Sequence, residues 1–208
     1  MAFALSPIFT VLNKLPLIVG IGGTPRDGST SELALRCALD HASEAGCETI
    51  AFNGPALPAE IYDPTRNWRS DAAIALVEAI GRADGLLIAT PSYHGGISGL
   101  IKNALDYAED LSGNERPYLQ GRAVGCIVCA HGAQAMGTTL SSLRAMVHAL
   151  RGWPTPYGAA VLARPAVFGS PGEQADPQAV ASVRLVSEQV IEFARMKALA
   201  ALHEADLR

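Results

Sequence analysis

Short apolar runs that alternate with longer stretches of helical periodicity constrain what this 208-residue chain can fold into. Each run has the length of a buried strand, and most are separated from the next by a helical pattern. Strands and helices in alternation form a parallel sheet with helices on both faces. The predicted strands are residues 15–21, 49–52, 85–89, 123–129 and 159–162.

The helix start signals agree with this alternation. Ser29, Ser70 and Ser98 each stand before a helical pattern, where a serine side chain accepts backbone N–H groups. A fourth helix is predicted after Thr138, and the last after Asp176, where proline takes the first helical position. Five strands and five helices in this order predict an α/β fold of the flavodoxin-like type, with a doubly wound five-stranded parallel sheet and helices on both faces.

Composition limits the domain count and the partners. With 49% hydrophobic residues the chain can bury one sizeable core, so we expect one domain at residues 15–203. Residues 1–14 are interpreted as an arm or a partner-contacting extension, and 204–208 as a tail. The net charge of −4, with no run of lysine or arginine, argues against a nucleic-acid partner. No apolar stretch approaches the roughly 20 residues of a membrane span, and a cytoplasmic location is expected.

The cysteines are interpreted as small buried side chains. Cys126 and Cys129 have the spacing of a redox pair, but they fall within a predicted buried strand. Positions three apart on a strand face opposite sides of the sheet, so the two sulfurs cannot easily form a bridge. Reduced thiols suit a cytoplasmic protein. No metal-binding pattern is predicted.

A glycine-containing loop at residues 22–32 joins the first strand to the first helix. Such a turn directs unbonded helix N–H groups at an anion. The P-loop pattern fails because Ser29 replaces its lysine, and the dinucleotide pattern fails because Pro25 replaces its third glycine. A monophosphate fits better. Ser29 and Glu32 also form the pattern of a capping box, so the alternative is simply a capped helix after a tight turn.

Two further glycine-containing loops are expected at the same edge of the sheet. They are residues 90–99 after the third strand and residues 130–137 after the fourth. Ligands of such folds lie outside the carboxyl ends of the strands, so these loops should converge with residues 22–32. Glycine allows close backbone approach, and the loops can present N–H and C=O groups to a flat heteroaromatic ring.

These segments resemble the signatures of a known family. Residues 22–31 resemble a phosphate motif, and residues 90–107 resemble a loop that runs from proline-x-tyrosine into glycine-x-leucine-lysine-asparagine. Together with the loop after the fourth strand, they make residues 15–165 similar to the NADPH-dependent FMN reductases, a family that includes chromate, quinone and azo reductases. The resemblance implies FMN as cofactor and NADPH or NADH as hydride donor.

The resemblance also implies site residues. The FMN phosphate would be held by Thr24, Arg26, Ser29, Thr30 and Ser31. The ring system would be lined by Pro91, Ser92, Tyr93, His94, Gly95, His131 and Gly132. Many members have glutamate and asparagine where this chain has Ser92 and His94, so hydrogen bonding to the flavin edge is expected to differ. FMN carries the chemistry, and no catalytic side chain is predicted.

Several functional alternatives remain open. The main hypothesis is an NAD(P)H-dependent FMN reductase that passes electrons to free flavin, a quinone, an azo or nitro compound or a metal ion, and that forms a homodimer or homotetramer. The alternatives are a flavodoxin-type electron carrier and a binding module for another phosphorylated ligand. Arg116 and Arg122 are distant candidates for contact with a nicotinamide 2′-phosphate.

Two surface features each allow two interpretations. The long segment at residues 53–69 either borders the flavin pocket or is a proline-stiffened surface loop whose aromatic side chains lie on the core. The apolar helix face at residues 140–150 either forms a dimer contact or packs on the sheet.

Overall fold

The computed structural model describes residues 15–169 and 173–206, and within these it is a three-layer α/β structure. The predicted arm at residues 1–14 lies outside the described residues. The strands are β1 (Leu17–Gly22), β2 (Glu48–Asn53), β3 (Gly85–Tyr93), β4 (Gly96–Ile97), β5 (Ala123–Ala130), β6 (Trp153–Pro154) and β7 (Ala159–Leu162). The α-helices are α1 (Thr30–Glu44), α2 (Asp71–Arg82), α3 (Gly99–Asp106), α4 (Ala133–Ala149) and α5 (Pro177–Asp206).

The parallel sheet has the strand order β2-β1-β3-β5, with β6 and β7 both pairing with β5. This confirms the doubly wound order, and the predicted fifth strand is divided into two pieces. The first piece pairs Trp153 with Ala123, and the second pairs Ala159 with Ile127. Pro154 and Pro156 lack the N–H that a continuous ladder needs, which explains the interruption. The short β4 was not predicted.

The central strands are buried on both faces. Every residue of β1 and every residue of β5 is buried. One face of the sheet packs against α1 and α5, and the other packs against α2, α3 and α4. Leu143 and Val147 of α4 lie in the core on the face that α2, α3 and α4 cover, so the apolar face of α4 packs on the sheet.

The predicted helix starts are mostly confirmed. Ser29 and Ser98 accept the backbone N–H groups of Glu32 and Ile101, respectively. Asp176 accepts the N–H of Gln178 at 2.9 Å, ahead of α5. The prediction for the fourth helix was wrong. It begins at Ala133, five residues before Thr138. The sequence did not indicate this start because the first turns of the helix are too exposed to give an apolar periodicity.

The last helix is long and leaves its carboxyl-terminal part exposed. It runs to Asp206 and so includes the first three residues of the predicted tail, while residues 207 and 208 lie outside the described residues. Among the described helices, none is long and apolar enough to cross a lipid bilayer.

The interpretation of Cys126 and Cys129 as buried side chains on opposite faces of the sheet is confirmed. Cys126 lies in the core on one face of the sheet and Cys129 in the core on the other. Burial raises the pKa of each of these thiols to about 12. All four cysteines are free thiols, and Cys37 alone among them is only half-buried.

We predict that a thiol reagent at pH 8 will modify Cys37 first and leave Cys126 and Cys129 unmodified until the protein unfolds. A thiol with a pKa near 12 has only about one thiolate in ten thousand at that pH. Mass spectrometry of partially labelled protein checks the order. Formation of a disulfide between Cys126 and Cys129 in the folded protein would contradict it.

Candidate functional site at the carboxyl ends of the strands

The phosphate loop, defined as residues 23–29, turns sharply between β1 and α1. Gly23 and Gly28 have φ angles of 84° and 70°, a left-handed conformation that favours glycine. The N–H of Gly23 donates to the carbonyl of Ala89 at 3.2 Å, which fixes the start of the loop to β3. The hydroxyl of Thr24 accepts the N–H of Arg26 at 3.2 Å and so closes a small turn. The loop is therefore pre-shaped by one backbone bond to β3 and by one side-chain-to-backbone bond of its own.

The start of α1 supplies the donors expected for an anion. Ser29 is the N-cap, and its hydroxyl lies 3.5 Å from the hydroxyl of Ser31, with both residues buried. The N–H groups of Thr30 and Ser31 have no carbonyl one turn earlier in the helix to bind. Arg26 is exposed and forms no salt bridge with any of the described residues. This set of donors fits a phosphate group.

A carboxylate also lies within this loop. Oε2 of Glu32 accepts the N–H of Gly28 at 2.5 Å, and Oε1 pairs with Arg36. The capping-box prediction was therefore right about Ser29 but wrong about Glu32, which binds the N–H of Gly28 instead of that of Ser29. The left-handed turn at Gly28 explains the difference, because it turns that N–H toward the helix.

The predicted loop at residues 90–99 is largely a β-hairpin, which we call the ring hairpin (residues 90–98). Ser92 pairs with Ile97 and Tyr93 with Gly96 in antiparallel register. His94 and Gly95 form the two-residue turn, with φ angles of 53° and 81°. Positive φ at both positions is typical of the tight turns that join paired strands. Tyr93 and His94 are exposed, while Pro91, Ser92 and Gly95 are half-buried.

The ring hairpin is fixed at its base. The hydroxyl of Thr90, which is fully buried, accepts the N–H of Ser98 at 3.1 Å and donates to the carbonyl of Pro91. Ser98 in turn caps α3. The hairpin and the helix that follows it therefore share one hydrogen-bonded base.

The first turns of α4 support the other side of the hairpin. The predicted loop at residues 130–137 is wrong in length, because only His131 and Gly132 separate β5 from α4, and both are exposed. The hydroxyls of Ser92 and Thr139 lie 2.6 Å apart. A Cβ atom at Gly95 would lie 3.6 Å from the hydroxyl of Thr138. The ring hairpin and α4 are thus in direct contact.

These segments meet because β1, β3 and β5 are adjacent in the sheet. The phosphate loop, the ring hairpin and the start of α4 follow the carboxyl ends of three neighbouring strands. All the predicted phosphate residues lie in the first of these segments or at the start of α1. Of the predicted ring residues, residues 91–95 lie in the ring hairpin, and His131 and Gly132 directly precede α4. The residues present therefore fit a phosphorylated flat ligand at this edge.

Arg116 and Arg122, the candidates for a nicotinamide 2′-phosphate, lie at the opposite edge of the sheet. Arg122 directly precedes β5 and is fully buried, and its guanidinium donates to the carbonyls of Gly81 and Ala83 at the end of α2. Burial lowers its pKa to about 10. Arg116 also donates to the carbonyl of Ala83. Both arginines therefore stabilise the end of α2, so that expectation was wrong.

Sequence reasoning did not identify the groups that Asn103 on α3 binds. Its side-chain oxygen accepts the N–H of Tyr62 at 2.8 Å, and its amide group donates to the carbonyls of Glu60 at 2.8 Å and Pro58 at 3.3 Å. One side chain thus holds three backbone groups of the segment that joins β2 to α2. The signal was present, since Asn103 belongs to the motif at residues 90–107, but nothing in the sequence identifies its partners.

The rest of the same segment is held by a cluster of aromatic and charged side chains. Arg69 forms two hydrogen bonds with the carboxylate of Asp110, at 2.6 and 2.8 Å. Its guanidinium lies over the rings of Tyr62 and Tyr107, whose centroids are 5.2 Å apart. Burial raises the pKa of both tyrosines. The aromatic side chains of residues 53–69 are thus divided, because Trp68 is exposed while Tyr62 packs against Tyr107.

Comparison with known proteins points to one family of reductases. Residues 16–165 match the family described as NADPH-dependent FMN reductase. A 2-hydroxy-1,4-benzoquinone reductase from a Burkholderia species is 31% identical over 118 residues, which are 54% of this chain and 63% of that protein. An FMN-dependent NADPH-azoreductase from Staphylococcus aureus is 30% identical over 144 residues, 67% of this chain and 72% of that protein. The chain thus spans less than two thirds of the length of the first relative.

Solved structures agree in fold. The FerB flavoenzyme NAD(P)H:(acceptor) oxidoreductase from Paracoccus denitrificans superimposes with a TM-score of 0.73 at 15% identity, over 88% of this chain and 99% of that one. The apo form of an NADH:FMN oxidoreductase, EMOB, gives 0.64 at 19% identity, over 87% and 89% of the two chains. At sequence identities below 20%, this structural similarity shows the fold alone.

We predict that Asn103→Ala will destabilise the protein by about 2–3 kcal/mol, because three backbone groups lose their partner at once. Lys102→Ala is the matched control on the same helix. Lys102 pairs with Asp106 at the surface, so we expect a loss below about 0.5 kcal/mol. Urea unfolding measures both, and amide hydrogen exchange at residues 58–62 should accelerate only in Asn103→Ala. Equal stability of the two variants would contradict the anchoring role.

Proposed function

Because the chain belongs to the NADPH-dependent FMN reductase family, we propose that it is an FMN-dependent oxidoreductase that uses NADPH or NADH as hydride donor. The observation that carries the proposal is the meeting of the phosphate loop, the ring hairpin and the start of α4 at adjacent strand ends. Hydride transfer is the chemistry that FMN supplies when bound, and the protein contributes binding and orientation.

The residues have separate roles in this proposal. Thr24, Arg26, Ser29, Thr30 and Ser31 hold the 5′-phosphate through hydroxyls, helix N–H groups and one guanidinium. The N–H of Glu32 already binds the hydroxyl oxygen of Ser29, which leaves the hydroxyl proton of Ser29 available to a phosphate oxygen. This arrangement supports the assignment of Ser29 as a donor.

The ring hairpin and the start of α4 line the ring system in this proposal. The set comprises Pro91, Ser92, Tyr93, His94, Gly95, His131 and Gly132. Gly95 takes the left-handed conformation that the turn needs beside α4, and the bond between Ser92 and Thr139 fixes the hairpin orientation. We assign no side chain as nucleophile or obligatory acid.

The electron acceptor is proposed from the names of the relatives. A benzoquinone reductase and azoreductases are among them, so quinones and azo compounds are the acceptors we favour. We further propose a cytoplasmic homodimer or homotetramer. The four free thiols support the location, and the exposed Ile61 and Trp68 support an intersubunit contact.

The direct test combines flavin binding with nicotinamide oxidation. We expect purified protein to bind FMN and then to oxidise NADPH or NADH, faster in the presence of a benzoquinone or an azo dye. Flavin binding without oxidation of either nicotinamide would favour the electron carrier. Absence of flavin binding would favour a module for another phosphorylated ligand.

We predict that Arg26→Ala will weaken FMN binding by about tenfold or more, because a charge-assisted hydrogen bond to phosphate is lost. Riboflavin, which lacks the phosphate, should bind equally to both proteins. Arg184→Ala is the matched control, since Arg184 is an exposed arginine that contacts Glu44 at the other end of α1. Fluorescence titration measures all the affinities. An equal loss for riboflavin and FMN would contradict the role of Arg26 in phosphate binding.

A further inference from the structure

The side chain of Glu32 lies in the phosphate loop, where an anion is expected to bind. Only 6% of it is exposed. A Cβ atom at Gly23 would lie 3.3 Å from the Cβ of Glu32, and Gly28 donates its N–H to the Glu32 carboxylate. The Glu32 side chain therefore binds the penultimate residue of the loop and lies close to the first.

The two oxygen atoms of the Glu32 carboxylate have different partners. Oε2 accepts the N–H of Gly28, a bond that orders the loop and needs only an acceptor oxygen, not a charge. Oε1 pairs with Arg36, whose side chain is 60% exposed. An ion pair with so exposed a partner is strongly screened by water and compensates the carboxylate charge only in part.

A negative charge in the first turn of α1 acts on any other anion there. The amino end of a helix carries a partial positive charge, which stabilises Glu32 and would equally stabilise a phosphate. Glu32 also occupies the N–H of Gly28, which a phosphate could otherwise bind. The two anions therefore compete for one helix terminus and repel each other.

We propose that Glu32 is a positioning residue with two opposed effects, in which its oxygen orders the phosphate loop while its charge weakens the binding of the flavin 5′-phosphate. The inference rests on the proposed function, since it assigns FMN to this loop. As a consequence, the protein holds FMN as an exchangeable ligand. The ratio of its affinity for FMN to its affinity for riboflavin is smaller than the hydrogen-bond donors of the loop alone would give.

Glu32→Gln separates the two effects, because the amide oxygen still accepts the N–H of Gly28 but carries no charge. We expect FMN to bind about three- to tenfold more tightly, the size of one partly screened charge interaction, and riboflavin to bind within about twofold of wild type. Glu44→Gln is the matched control. It makes the same change twelve positions later, about 18 Å along the helix, and should alter neither affinity.

Two further measurements keep the test independent of one variant. Glu32→Ala also removes the charge, so the ratio of FMN to riboflavin affinity should rise even if the looser loop weakens both flavins. The advantage of Glu32→Gln for FMN should shrink as ionic strength approaches about 1 M, where the Debye length falls to about 3 Å. Equilibrium dialysis or fluorescence titration gives each value without measuring turnover.

An unchanged affinity ratio in both Glu32 variants, or an equal change for the two flavins, would overturn the inference. This result differs from a failure of the proposed function. If wild-type protein binds riboflavin as well as FMN and Arg26→Ala does not alter FMN binding, then the phosphate loop does not bind the flavin phosphate. If wild type prefers FMN and the Glu32 variants do not alter that preference, only the inference about Glu32 is wrong.

Discussion

The burial of the central strands on both faces is the constraint on which the rest of the structure depends. Every residue of β1 and β5 is buried, so helices must cover the sheet on both sides, and each strand must return through a helix. That connection makes all the principal strands parallel. It also brings the phosphate loop, the ring hairpin and the start of α4 to one edge, where the backbone groups of three segments are available to a ligand.

The site combines segments that are ordered in different ways. The phosphate loop is ordered by its own turns and by the carboxylate of Glu32. The ring hairpin is closed at its base by the bond between Thr90 and Ser98, and it depends on a partner far along the chain, since Ser92 contacts Thr139. Asn103 extends this support by holding residues 58–62 on α3, the helix that begins where the hairpin ends. The segments that we propose bind the ligand are therefore ordered partly by local contacts and partly by residues distant in the chain.

Much of the fold was predictable because its signals are local. Apolar runs identified the strands, and capping residues such as Ser98 and Asp176 identified helix starts. The family resemblance is confirmed by the match over residues 16–165. The errors occurred where a local signal is weak or ambiguous: α4 begins with exposed residues, and β3 continues as a hairpin beyond its apolar run. Prolines divide the predicted fifth strand into β6 and β7, and apolar periodicity does not indicate such a division.

The sequence by itself determined the strand and helix alternation, the phosphate loop and the family, because each depends on residues close together in the chain or on a contiguous motif. Only the tertiary structure decided which distant groups meet. Asn103 binds residues more than forty positions away, and Arg69 binds Asp110 over a similar distance. The tertiary structure also showed that the guanidinium of Arg122 binds carbonyl groups at the end of α2. Such pairings arise from tertiary packing between segments distant in the chain, and sequence periodicity carries no information about them.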